Sequence, residues 1–165
     1  MNSNKIIAVL FFFFILLGAA VGPATISALS KSDSDTAASK NIHFYKYPGG
    51  LGADGYDVIS YFNDSKAVKG NEIYEEEWGG VLWRFISHKN RKQFFQDPQR
   101  YIPQYGGHCA YGVAQGYLVR GDPMAWSIRD DKLYLNYSQG IRTAWLANAQ
   151  EFIRRSELSW PKLNR

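Results

Sequence analysis

Sulfur and imidazole are scarce in this chain of 165 residues, which contains one cysteine, two methionines and three histidines. A single thiol cannot close a disulfide within the chain, so the fold must be stabilised by packing. A paired CxxC site is excluded for the same reason. The sequence also contains no GxSxG, phosphate-loop or HExxH motif, so those signatures of hydrolases, nucleotide-binding proteins and zinc proteases are excluded.

Strong charge of one sign is also lacking. The 19 basic and 15 acidic residues give a net charge of +4. The small basic group formed by Lys89, Arg91 and Lys92 is offset by acidic residues at 75–77 and 130–131. Nucleic-acid binding, which needs a basic patch or stripe, is therefore not predicted. Aromatic residues are abundant, at 16%, and their large buried areas make a core without disulfides plausible.

The first 29 residues have the pattern of an export signal. Lys5 precedes an unbroken apolar or glycine run at residues 6–21, which is shorter than the roughly 20 residues that span a membrane. Small-x-small patterns suited to cleavage follow at residues 18–20 and 22–24. An uncleaved N-terminal anchor is the alternative. Both interpretations predict an exported protein, periplasmic or extracellular, with membrane contact only through this segment.

Residues 30–41 differ in composition from the rest of the chain beyond them. They are rich in Ser, Asp, Lys, Thr and Ala, and such a segment buries too little apolar surface to repay its ordering. We therefore predict a polar linker at 30–41. Residues 42–165 have a length suited to one domain with one core.

Two hairpins are predicted within this domain. Gly79-Gly80 separates strand-forming residues at 74–78 from those at 81–86, which is a strong signal for a two-residue turn. Asp130-Asp131 separates a second pair, at 126–129 and 132–137. Since aspartate tolerates left-handed backbone better than most residues, this turn is expected to form without glycine.

Helices are predicted between and after the hairpins. Asp57 and Ser87 are expected to cap helices, the second beginning at His88 with Asn90 turned outward. Asp-Pro pairs at 97–98 and 122–123 predict further helix starts. Apolar residues at helical spacing predict a C-terminal helix over 138–158, ended by Trp160-Pro161. The sequence thus predicts an α+β fold: a small antiparallel sheet from two hairpins with interleaved short helices and a C-terminal helix.

The candidate site is the glycine- and tyrosine-rich stretch at 105–116. It contains the only cysteine, Cys109, directly after His108. A thiol and an imidazole bind soft metals or act as nucleophile and base. Four interpretations of Cys109 stay open: a small buried apolar residue, a metal or ligand contact, a reactive thiol, and an intermolecular disulfide. Adjacent side chains often point to different sides, which counts against joint binding by His108 and Cys109.

The order of motifs resembles the YHS-domain family, in its stand-alone exported branch. The matching segments are 55–62 (GYDVISYF), 66–70 (KAVKG), 83–87 (WRFIS), 97–101 (DPQRY), 103–107 (PQYGG), 109–111 (CAY), 115–116 (QG), 122–126 (DPMAW), 132–137 (KLYLNY) and 160–161 (WP). Other branches of that family carry metal-binding cysteines just after the second strand. The matching residues 85–90 have no cysteine here, and His88 is the only potential ligand among them.

We therefore predict a binding protein rather than an enzyme, one that holds a soft transition metal or a small ligand around residues 105–111. The expected metal is copper or zinc, and the candidate donors are Cys109, His108, His88 and Met124. Expected to surround a bound ligand are Tyr105, Gly106, Gly107 and Tyr111. Two alternatives stay open: a protein-interaction module of the cell envelope with a structural Cys109, and thiol chemistry at Cys109.

Overall fold

The computed structural model describes residues 42–165 and confirms the α+β class. The predicted signal at 1–29 and linker at 30–41 lie outside the described residues. Within 42–165, no helix has both the length and the apolar character needed to cross a membrane. The elements are α1 (Val58–Asn63), β1 (Asn71–Trp78), β2 (Val81–Phe85), α2 (His88–Gln96), α3 (Pro98–Tyr101), α4 (Ala110–Ala114), β3 (Asp122–Arg129), β4 (Lys132–Asn136), α5 (Gln139–Leu146) and α6 (Ala149–Leu163).

The first hairpin forms as the sequence predicts. Trp78 pairs with Val81 in the antiparallel register of β1 and β2. Gly79 and Gly80 between them have φ values of 65° and 72°, the left-handed backbone that a tight hairpin turn requires. Side chains alternate along β2, and its buried face carries Val81, Trp83 and Phe85.

The second hairpin is confirmed as well, and its turn residues Asp130 and Asp131 have φ values of 49° and 55°. The two hairpins form two separate two-stranded antiparallel sheets, rather than the one small sheet that the sequence predicts. Strand β4 divides the interior, because successive side chains point to opposite faces. Leu133 and Leu135 pack into the larger core cluster, whereas Tyr134 packs into a smaller one.

The two clusters use different parts of the chain. The larger one gathers β2, α1, α2 and the segment around Phe44, with Trp83, Phe85 and Phe94 among its most deeply buried side chains. The smaller one is built on Trp145 from α5, with α4 and α6 packed around it. Helices α4 and α6 thus support the second half of the molecule, where residues 105–116 lie.

Three predictions of local structure are wrong. Asn90 is buried rather than turned outward, because its side-chain amide donates to Asp57. Asp122 begins strand β3 rather than a helix, since proline is also accepted next to a strand start. The C-terminal stretch forms two helices, and α6 continues through Pro161 to Leu163. Pro161 has no N–H to donate to the carbonyl of Glu157, four residues earlier in the helix. Because Glu157 is exposed, water can donate to that carbonyl instead.

The buried carboxylate of Asp57 joins three elements of the larger core. Its Oδ1 caps α1 by accepting from the Ile59 N–H at 2.8 Å. Its Oδ2 accepts from the Ile86 N–H at the end of β2 and from the Asn90 amide in α2, both at 2.8 Å. Because the side chain is fully buried, water could not easily replace the carboxylate as acceptor if it were removed.

We expect Asp57→Ala to lower the free energy of unfolding by about 3 kcal/mol or more, because three donors lose their acceptor and two of those hydrogen bonds are fully buried. The matched control is Asp122→Ala, which removes a single 2.9 Å bond to the exposed Met124 N–H and should cost about 1 kcal/mol or less. Urea unfolding of both variants measures the difference. Equal losses in the two variants would contradict the role given to Asp57.

Candidate functional site

Residues 105–109 pass through the fold between two other backbone segments. On one side the Tyr45 N–H donates to the Gly106 carbonyl at 2.8 Å. A Cβ at Gly106 would lie 2.3 Å from the His43 carbonyl oxygen, so only glycine fits there. On the other side the Cys109 N–H donates to Val119 at 2.9 Å, and the Gly121 N–H donates to Gly107 at 3.1 Å. The close approach that Gly106 permits is therefore to the protein's own backbone.

His108 and Cys109 open onto different cavities. His108 lines what we call the histidine pocket, together with residues 42–46 and Gly79. Cys109 lines what we call the thiol pocket, with Tyr111, Tyr117, Val119, Tyr137 and Ile141. The two neighbours in sequence thus belong to two separate sites.

The Cys109 sulfur is buried and hydrogen-bonded. Only 1% of the residue is exposed. Its Sγ caps α4 by accepting from the Gly112 N–H at 3.4 Å, and it accepts from the Tyr137 N–H at 3.2 Å. The thiol in turn lies 3.8 Å from the Asn136 Oδ1. The sulfur therefore connects the start of α4 to the end of β4.

The thiol pocket is small and lined by carbon-rich side chains. Its volume is about 240 Å³, and the residues that line it carry no charge. Tyr117 and Tyr137 are 51% and 45% exposed, respectively. Two aromatic rings therefore face both the pocket and solvent, and the Arg120 guanidinium lies 5.0 Å from the Tyr137 ring centre.

The histidine pocket is larger, at about 520 Å³, and brings two imidazoles together. The ring centres of His43 and His108 are 5.5 Å apart, with their planes at 75°. His108 Nδ1 lies 2.9 Å from the Tyr105 carbonyl oxygen. Burial lowers the pKa of the His108 imidazole below its usual value, which favours the uncharged ring.

The other two predicted metal donors lie elsewhere. His88 is exposed at the start of α2, where its Nδ1 is 3.1 Å from an Arg91 guanidinium nitrogen. Met124 is 52% exposed on β3. Neither lines the thiol pocket or the histidine pocket, so the structure does not bring Cys109, His108, His88 and Met124 together. In residues 42–165, no three or more side chains of His, Cys, Asp or Glu are grouped so that they could hold a metal ion.

The predicted ligand-binding tyrosines differ in position. Tyr105 packs against Tyr134 and Trp160, with ring centres 6.0 and 5.7 Å away. Burial raises the pKa of its hydroxyl to about 12. Its ring contacts indicate a packing residue. Tyr111 packs on Phe152 at 4.9 Å and lines the thiol pocket. Gly107 lines neither pocket.

Sequence reasoning missed most of the walls of both pockets. From its position in the sequence, His43 is predicted to be exposed at the margin of the fold, and it is exposed. Its ring also contacts that of His108, 65 positions away. No local pattern could indicate that pairing. For the thiol pocket a partial signal existed, since Tyr117 follows the glycine-rich stretch and Tyr137 directly follows β4.

No family model, curated protein or solved structure matches this chain. The resemblance to YHS domains is therefore carried by the motifs of the sequence alone, and membership of that family stays a prediction.

We expect Cys109→Ala to destabilise the protein by about 1–3 kcal/mol, because the Gly112 and Tyr137 N–H groups lose their acceptor. Cys109→Ser should cost less, since the hydroxyl keeps an acceptor and serine is a good helix cap. Chemical denaturation of the three proteins gives the comparison. If serine were no better than alanine, the sulfur would contribute by packing alone.

Proposed function

We propose that this is an exported, non-enzymatic protein of the YHS type that binds a compact, uncharged ligand in the thiol pocket. The observation that carries the proposal is that buried Cys109 lines a cavity whose other walls are aromatic or aliphatic. This narrows the prediction from sequence. Of the two ligand classes that the sequence predicts, a small molecule fits the neighbourhood of Cys109 better than a metal, because no imidazole lines this pocket.

The size of the cavity limits the ligand. An apolar cavity of about 150 Å³ accommodates benzene in other proteins. At about 240 Å³, the thiol pocket has room for one six-membered ring with a few substituents. Larger molecules would have to project past Tyr117 and Tyr137, whose rings are partly exposed.

The chemistry of the walls limits the ligand further. Burying a charged group without a partner is costly, and no charged side chain lines this pocket. Ring faces of Tyr111, Tyr117 and Tyr137 suit another aromatic ring in stacked or edge-on packing. The preferred ligand is thus a neutral monocyclic aromatic molecule, bound without covalent chemistry.

Binding can be measured by NMR titration of the full-length chain with toluene, phenol and benzoate. We expect toluene and phenol to shift the amide signals of Cys109, Tyr117 and Tyr137. Benzoate should bind at least about tenfold more weakly, because no charged side chain lines the pocket to pair with its carboxylate. The backbone amides of α2, which packs on the larger core and does not line the pocket, should not shift.

The deciding variant is Ile141→Trp, which fills the pocket from its α5 wall. The affinity for phenol should fall about tenfold or more, because phenol then loses over about 1 kcal/mol of packing against the pocket walls. Ile73→Trp makes the same substitution at a site that is 76% exposed on β1 and should leave binding unchanged. Wild-type protein that binds none of the three compounds, or equal affinity in the Ile141→Trp variant, would refute the proposal.

A further inference from the structure

The histidine pocket has features that the proposed function does not use. It shares no lining residue with the thiol pocket and contains two of the three histidines of the chain. We propose that His43 and His108 form an open two-histidine site for a divalent transition-metal ion, with Cu²⁺ preferred over Zn²⁺.

The hydrogen bond of His108 prepares its ring for a metal. A carbonyl oxygen can only accept, so the 2.9 Å contact with Tyr105 places the proton on Nδ1. The lone pair of the neutral ring is then on Nε2. Metal-bound histidines almost always donate their other ring N–H to a carbonyl or carboxylate in this way, which fixes the tautomer and the ring orientation.

The main chain around His43 is held in place from two directions. The His43 N–H donates to the Asn164 Oδ1 at 2.6 Å, and the next hydrogen bond along joins Tyr45 to Gly106 at 2.8 Å. Because Gly106 has no side chain, the His43 backbone lies directly on the residue two positions before His108. The two imidazoles therefore come from rigidly joined segments.

The separation of the rings fits one shared ion. Metal–nitrogen bonds of about 2.0–2.1 Å, plus about 1.1 Å from nitrogen to ring centre, put two ligating imidazoles about 5.1–5.5 Å apart at tetrahedral to trigonal angles. At the 90° angle between neighbouring ligands in tetragonal Cu²⁺, the same bonds put the ring centres about 4.5 Å apart. The observed distance between ring centres is 5.5 Å. The spacing therefore matches a tetrahedral ion such as Zn²⁺ directly. For either ion the exposed His43 ring has to turn a nitrogen toward His108 Nε2, and tetragonal Cu²⁺ also needs the rings about 1 Å closer together.

The donor set determines which metal is expected. Two imidazole nitrogens without thiolate or carboxylate suit borderline ions such as Cu²⁺, Ni²⁺ and Zn²⁺, and Cu²⁺ is the tightest of these in the general affinity order. Water or an external ligand completes the coordination. Lys46 also lines the pocket. Its exposed ammonium repels a divalent cation, and it favours an anion as the external ligand that completes the coordination. Because the ammonium is exposed, salt screens both effects.

The test is titration of the full-length chain with Zn²⁺ by calorimetry and with Cu²⁺ followed by electron paramagnetic resonance. We expect one ion per chain, tighter binding of Cu²⁺ than of Zn²⁺, and a copper spectrum with coupling to two nitrogen ligands. His43→Ala and His108→Ala should each weaken metal binding about tenfold or more. Removing a residue that only supports a metal ligand already costs about tenfold in affinity, and loss of the ligand itself should cost at least as much.

His88→Ala is the matched control, because it removes the third histidine, which lies outside the pocket, and should leave the affinity unchanged. Should the buried His108→Ala variant unfold, His43→Ala decides, since that side chain is exposed and its backbone hydrogen bond to Asn164 is retained. Equal binding by wild type and His43→Ala, loss of binding in His88→Ala, or no binding by wild type would each overturn the proposal. Because this site shares no residue with the thiol pocket, the two proposals succeed or fail separately.

Discussion

Direct backbone contact at residues 105–109 is the constraint on which both pockets depend. On one side, Gly106 lies so close to the His43 backbone that a Cβ would not fit. On the other side, the Cys109 N–H donates to Val119 and the Gly121 N–H donates to Gly107. Three stretches of chain therefore run side by side without side chains to separate them. In such an arrangement consecutive residues are directed to opposite sides, which is why the imidazole of His108 and the thiol of Cys109 serve different cavities.

Strand β4 gives that segment a firm support. Cys109 forms a bridge with Leu135, and Leu135 and Leu133 are anchored in the larger core while Tyr134 reaches into the smaller one. The sulfur then caps α4 and accepts from the residue that follows β4. Cys109 is thus a structural residue and a pocket wall at once. From the sequence, a packed thiol and a ligand contact were alternative interpretations of Cys109. In the structure the same residue could serve in both ways.

Local signals predicted much of the fold. The Gly79-Gly80 and Asp130-Asp131 turns and the Ser87 cap depend on a few adjacent residues, and each formed as expected. The failures have another origin. Asn90 is drawn inward by Asp57, a partner 33 positions away, and Pro161 is tolerated in a helix because the carbonyl it leaves unpaired belongs to an exposed residue. Such outcomes depend on tertiary surroundings that local propensity does not contain.

The site was less predictable than the fold for the same reason. Chemistry pointed to Cys109 and His108, but most of the walls of the pockets come from the connection after α4, the residue that follows β4, α5 and the first described residues. The joining of His43 to His108 depends on a glycine at 106 whose reason is visible only in three dimensions. Residues that bear chemistry can be recognised one at a time in a sequence. Their grouping into sites could not be recognised here, because the contacts span tens of residues.

The bond between the His43 N–H and the Asn164 side chain has a topological consequence. It brings the beginning and the end of the described chain together, which is the arrangement that tolerates circular permutation. A short peptide could join residue 165 to residue 42, with new termini in the exposed connection after α1. Anything fused to either end of the domain would emerge on one face, beside Ile42 and the cavity that it helps to line.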